Sequence, residues 1–168
     1  MKPRDLIWGA LLAALSFMIP VYFGGILTIP IPPFTATLAS HVPVMISMLL
    51  GPWVAVLVGL GSAFGFLLKL GPVIAARAAM HAIFGLVGAL LIRRGRPFWE
   101  ALAVTAPIHA GLEALIVLPF GFTLAKAGAV VFVGTFMHHI VDSVIAVTVA
   151  RLVGLTSKGK IAARVAHV

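Results

Sequence analysis

The sequence predicts an all-α integral membrane protein, a compact bundle of six transmembrane helices with both termini cytoplasmic. Composition, the spacing of helix breakers and the placement of basic residues predict it. Of 168 residues, 62% are hydrophobic and only 10% charged, whereas a soluble domain runs at roughly 45–50% apolar and about 25% charged. A spanning helix consumes about 20 mostly apolar residues, so six leave roughly 48 for ends and connections. Residues 1–168 therefore read as a single membrane domain without room for a soluble catalytic one. The chain has no cysteine, which excludes disulfides, thiolate metal sites and cysteine nucleophiles.

Gly and Pro divide the apolar sequence. Span 1 covers about Leu6–Phe23; Lys2 and Arg4 precede it as in a signal peptide, but no clean small-residue cleavage site follows, so it reads as an uncleaved span. Gly24–Pro33 (GGILTIPIPP) is too rich in Gly and Pro to be helical. Span 2, about Phe34–Leu50, ends at Gly51-Pro52, and span 3, about Trp53–Leu68, ends at Lys69–Pro72. Span 4, about Val73–Ile92, stops in the basic turn Arg93–Pro97. Span 5 covers about Phe98–Leu118, Pro119–Lys126 connects, span 6 runs over about Ala127–Leu152, and a polar tail follows over 154–168.

The net charge of +8 is read by position. Lys2, Arg4, Arg93, Arg94, Arg96, Arg151, Lys158, Lys160 and Arg164 fall on one side of this topology, Lys69 and Lys126 on the other, and Arg77 inside span 4. Cytoplasmic loops collect Lys and Arg, so both ends are expected inside, and nucleic acid drops out as a partner. Gly154–Lys160 (GLTSKGK) only superficially suggests a phosphate loop, and no G-x-S-x-G elbow is present. An enzyme is not expected, nor a cofactor. The two three-span halves show no convincing similarity, which gives no support to an inverted-repeat transporter.

An ionisable side chain at helix centre costs at least about 2.5–3.5 kcal/mol on insertion scales, so it faces the protein interior and has a partner. Span 4 carries Arg77 and His81 on one face; span 5 carries Thr105, His109 and Glu113; span 6 carries Thr135, His138, His139, Asp142 and Ser143; span 2 adds Ser40 and His41. At about 1.5 Å per residue, Arg77 lies roughly 6 Å below the outer helix ends, Glu113 about 9 Å, His41 about 10 Å and His81 about 12 Å. Two layers are expected: an outer one of Arg77, Glu113, His41 and His81 within reach of a cavity, and an inner buried network of His109, His138 and Asp142. Arg77 reads either as a structural partner of Glu113 or as a ligand-holding cation, and His41 and His81 as ligand contacts or satisfied core histidines. The inner histidines read as hydrogen-bonded structure or as a proton relay. No metal is expected, because no H-E-x-x-H or similar ligand spacing occurs and His138 and His139 point to different helix faces.

Small residues recur. Gly9-x-x-x-Ala13 overlaps Ala10-x-x-x-Ala14 in span 1, span 3 has Gly61-x-x-x-Gly65, and span 4 has Gly85 and Gly88. Such patches let helices approach closely.

Ser40-His41-Val42-Pro43-Val44 leading into Gly51-Pro52, then Val58–Phe66 (VGLGSAFGF), resembles the span 2–3 region of the substrate-binding (S) components of energy-coupling factor (ECF) vitamin transporters. Arg77–Gly85 (RAAMHAIFG) resembles span 4 of the niacin-type members. The likeness covers most of Leu6–Leu152. It implies a high-affinity vitamin-binding subunit in the cell (cytoplasmic) membrane, working with a transmembrane coupling subunit and two ATPase subunits that hydrolyse the ATP. Ala10 and Ala14 would contact the coupling subunit. The pocket would lie between the outer ends of spans 4–6, capped by Gly24–Pro33, Lys69–Pro72 and Pro119–Lys126. The N-terminal histidine motif of the cobalt- and nickel-specific members is missing. Nicotinate is the expected cargo, with Arg77 on its carboxylate, His81, Glu113 or His139 on its ring nitrogen, His41 nearby, and Phe120 or Phe122 for stacking. Trp53 is expected at the cytoplasmic interface. Alternatives are another vitamin or precursor as cargo, a proton-coupled secondary transporter of a small solute, or a purely structural membrane protein.

Overall fold

The structure, a computed structural model, describes residues 3–24, 26–31 and 34–155. Among them, five helices are long and apolar enough to cross a membrane. α1 runs over Pro3–Met18 and continues as a π-helical turn over Ile19–Phe23, where Pro20 withdraws its N–H from the helical ladder. An antiparallel hairpin follows, β1 (Thr28–Ile31) on β2 (Phe34–Thr37), with Thr28 opposite Thr37 and their hydroxyls 2.8 Å apart. Next come α2 (Val42–Ser47), α3 (Pro52–Leu70), α4 (Pro72–Arg93) and α5 (Phe98–Ile116), the last closed by a 3₁₀ turn at Leu118–Phe120. α6 (Leu124–Leu152) begins with one α-turn, is π-helical over Ala127–Phe132 and α-helical from Val133. α3 and α4 both start from a Gly-Pro pair: Gly51 (φ 132°) and Gly71 (φ 85°) take left-handed backbone that L side chains avoid, and proline fills the first helical position. The tail charges Lys158, Lys160 and Arg164, and Lys2, lie outside the described residues.

The expected second span is corrected. Phe34–Leu50 is not one helix but a strand, a turn and the six-residue α2, about 9 Å long. The β-branched Thr35 and Thr37 favour the strand. Ala39 then takes a left-handed φ of 65°, which breaks the chain before α2, and Pro43 sits in the first turn of α2, where its missing N–H costs no helical hydrogen bond. The segment still traverses the bundle. Its strand lies beside Ile74 and Arg77 at the start of α4, and Leu50 and Gly51 lie beside Ile92 and Arg93 at its end. Non-helical backbone at membrane depth requires burial in protein; Thr37, Ser40 and His41 are buried, as is all of α2, while Thr35, Ala36 and Ala39 are half-buried and Leu38 is exposed.

α1, α3 and α4 pack through small residues. A Cβ on Gly65 would stand 2.5 Å from the Phe17 carbonyl oxygen, and one on Gly59 2.5 Å from the Ala82 nitrogen, so both helix pairs meet backbone to backbone. The overlapping patches of α1 separate: Gly9 and Ala13 face Val54 and Gly61, whereas Ala10 and Ala14, about 100° round the helix, are exposed. One apolar core joins α2 with Val54, Phe84, Ala89, Phe98, Ala146 and Ala150; a smaller one joins Val117, Ala127 and Val131 at the other end. The polar side chains of α4, α5 and α6 fall between these two cores in sequence order, which fixes them as a buried layer.

Candidate ligand-binding site

Each helix contributes to this layer through residues three or four apart, which share one face. Glu113 of α5 is its hub. Arg77 Nε and Nη2 donate to Glu113 Oε2 at 2.9 and 2.6 Å, and the Thr135 hydroxyl donates to the same oxygen at 2.6 Å. The other oxygen, Oε1, lies 3.1 Å from His109 Nε2 and 3.7 Å from His81 Nε2. His81 turns its Nδ1 to the Ser62 hydroxyl at 3.0 Å. His109 turns its Nδ1 to His139 Nδ1 at 3.1 Å, and His139 Nε2 meets the Leu102 carbonyl at 3.2 Å. All of these side chains are buried. The two oxygens of Glu113 therefore divide the work, Oε2 meeting charged and hydroxyl donors and Oε1 meeting imidazoles.

Asp142 is held differently. Its carboxylate oxygens accept from the backbone N–H groups of Ala39 (2.9 Å) and His41 (3.0 Å), and Oδ2 also lies 3.1 Å from His41 Nδ1 and 3.2 Å from His138 Nε2. The turn between β2 and α2 is thereby tied to α6. His41 stands at the middle of the layer, its ring 4.7 Å from that of His81, 4.8 Å from His109 and 4.3 Å from His138.

A narrow cleft opens onto this layer between the hairpin and α4. Thr35, Thr37, Ser40, His41, Phe66 and Ile74 form part of its wall, with Arg77, His81, Glu113 and His138. The open space at its centre is about 20 Å³, room for one water molecule or a single ion.

The sequence-predicted residues meet here with four corrections. The expected outer and inner layers are one, because His41 bridges Glu113's histidines to Asp142. His139, expected on the ligand, lies behind His109, while His138, expected in the inner network, lines the cleft. Phe120 is exposed and Phe122 packs on the small core of Val117, Ala127 and Val131, so neither reaches the cleft, whose aromatic wall is Phe66. Thr135 and Ser62, not singled out as site residues, anchor Glu113 and His81; Thr135 shares a helix face with His139 and Asp142, whereas Ser62 lies on α3, whose one ionisable residue is Lys69 at its end. Trp53 is exposed near Asp5 and Arg93, far from the cleft.

No family model and no solved structure matches the chain. Among curated proteins, the niacin transporter NiaX of Lactococcus lactis subsp. cremoris (strain MG1363) is 33% identical over 158 residues, covering 84% of this chain and 70% of the relative. The chain belongs to the niacin transporter family. This relative bears out the resemblance to niacin-type members drawn from the Arg77–Gly85 segment. Together with the five long apolar helices, it makes the chain a multi-pass membrane protein of the transporter class.

Proposed function

We propose that the protein is the high-affinity substrate-binding subunit of an ECF-type importer, and that its cargo is nicotinate. The observation that carries this reading is a buried, polar-lined cleft with Arg77 in its wall, in a relative of a niacin transporter. A guanidinium held in place by Glu113 is pre-oriented for a second carboxylate, and the low dielectric strengthens that contact. His41, His81 and His138 offer ring nitrogens to the pyridine, and Phe66 an apolar wall. A pyridine ring needs more room than one water, so binding has to part the walls of the cleft.

The exposed Ala10 and Ala14 of α1 support a partner interface: a smooth helix face left open lets another helix come close. The partners under this reading are a transmembrane coupling subunit and two ATPase subunits. The concentration of Lys and Arg around the chain start, Arg93–Arg96 and the tail supports cytoplasmic termini. The proton-coupled alternative gains less support. Among the described residues, the histidine chain from Glu113 ends on the Leu102 carbonyl, and an apolar core of Phe98, Ala89, Ala146 and Ala150 lies beyond it.

Calorimetry on the purified protein with nicotinate and nicotinamide tests the reading. Tight binding of nicotinate but not of the uncharged amide is expected; equal affinity for both, or for neither, would remove the Arg77–carboxylate contact from the account.

A further inference from the structure

The hydrogen bonds around His109 can be followed proton by proton. A carbonyl only accepts, so His139 Nε2 carries the proton shared with Leu102. In a neutral ring, His139 Nδ1 is then an acceptor, and the proton between the two histidines belongs to His109 Nδ1. That leaves His109 Nε2 with a lone pair aimed at a carboxylate oxygen 3.1 Å away. Two lone pairs at that distance repel, and a cation between them removes the conflict. The charge balance leads to the same place. Among the described residues, the buried charged side chains are Arg77, Glu113 and Asp142, so with neutral imidazoles the layer carries one net negative charge in a low-dielectric setting.

More than one donor converges on that gap. His41, His81, His109 and Glu113 each present one donor atom, and the four atoms lie within 4.8 Å of one another. A tetrahedral site with bonds of about 2.0–2.1 Å has donors about 3.3 Å apart; Glu113 Oε1 is already 3.1 Å from His109 Nε2 and 3.7 Å from His81 Nε2. The outer atom of three donors is also held, His81 Nδ1 by Ser62, His109 Nδ1 by His139, and Glu113 Oε2 by Arg77 and Thr135, and His41 Nδ1 lies 3.1 Å from Asp142 Oδ2. Inward-facing donors with anchored outer atoms are the arrangement of a metal centre, where such anchors fix tautomer and ring orientation. The central space of about 20 Å³ suits one ion. Sequence spacing gave no hint of this, because the donors come from a turn and two helices.

We propose that His41, His81, His109 and Glu113 bind a divalent first-row transition-metal ion, with three imidazole nitrogens and one carboxylate oxygen as ligands. Imidazole-rich sites suit zinc, nickel, copper and iron, and Mg²⁺ and Ca²⁺ prefer oxygen. The ion changes the net charge of the layer from −1 to +1, the sign that draws an anion into the cleft. With the ion bound, the cleft-facing nitrogens of His41 and His81 are taken by it, and of the three cleft histidines His138 is left for the pyridine. This coupling rests on the nicotinate reading; the ion site itself does not.

The test uses the full chain in detergent, purified through a tag without histidine, stripped by a chelator and titrated with Zn²⁺ and with Co²⁺. One ion per chain is expected, at micromolar affinity or tighter, with the visible absorption of tetrahedral Co²⁺. His109→Ala should weaken Zn²⁺ at least a hundredfold, and Ser62→Ala, which touches only the outer nitrogen of His81, about tenfold. His138→Ala should weaken it less than His109→Ala, because its Nε2 meets Asp142 and not Glu113, and Thr148→Ala, on the exposed face of α6, should change it less than threefold. Absence of stoichiometric binding would mean that a proton fills the gap and would overturn the proposal. So would equal loss in His138→Ala, which would place the ion on Asp142. Nicotinate titrated into stripped and Zn²⁺-loaded protein separates the two readings. At least tenfold tighter binding to the loaded form supports their coupling, and equal binding to both overturns it. Zn²⁺ binding without nicotinate binding to either form leaves the ion site standing and removes nicotinate.

Discussion

Glu113 and Asp142 are both buried carboxylates in the polar layer, yet they are gripped by different kinds of donor. Glu113 is met by side chains alone, from Arg77, Thr135, His81 and His109, and lines the cleft. Asp142 takes two backbone N–H groups, from Ala39 and His41, and does not line the cleft. Side-chain donors can exchange partners when a ligand arrives; backbone donors cannot leave without the turn moving. The pair separates a centre built to respond from one built to hold the non-helical crossing in place. Asp142 explains how β2, the turn and α2 survive at membrane depth, and Glu113 explains how Arg77 stays poised.

The largest effect should come from breaking the holding centre. Asp142→Ala leaves the buried His41 N–H and the half-buried Ala39 N–H without acceptors, and a loss of about 3–5 kcal/mol is expected in thermal or chemical unfolding in detergent. Should Asp142→Ala unfold like wild type, the contrast would collapse. On the responding side, Arg77→Lys keeps the charge but loses the planar fork; nicotinate affinity should fall about ten- to hundredfold by calorimetry, with the fold retained. Thr135→Val removes one hydroxyl donor from Glu113 Oε2 at constant shape, and a stability loss of about 1 kcal/mol is expected. The smallest change should be a gain. Ala39 sits at φ 65°, so Ala39→Gly relieves left-handed strain, and stabilisation of about 0.5–1 kcal/mol should appear as a raised unfolding midpoint.

Much of this was legible in the sequence. Intramembrane ionisable residues are few and face inward, so Arg77, His81, His109, Glu113 and Asp142 marked the polar layer without any structure. Gly-Pro pairs at 51–52 and 71–72 marked two helix starts to within a residue. The strand Phe34–Thr37, the turn after it and the short α2 escaped, because an apolar run reports burial and not backbone conformation. The exchange of roles between His138 and His139 escaped for a related reason. Adjacent helical residues point about 100° apart, and only the packed rotation of α6 decides which of them meets the cleft. Phe120 and Phe122 lie in the connection after α5, where no periodicity fixes direction. The separation of Gly9 and Ala13 from Ala10 and Ala14 likewise depends on where α3 docks.

The most direct test of the division between the two carboxylates is the thermal shift produced by saturating nicotinate in wild type, Glu113→Gln and Asp142→Asn. Glu113→Gln, which leaves the buried Arg77 without its counter-ion, is expected to unfold lower and to lose the nicotinate shift, while Asp142→Asn is expected to unfold lower and to keep it. The reverse pattern, a shift lost at Asp142 and kept at Glu113, would contradict it.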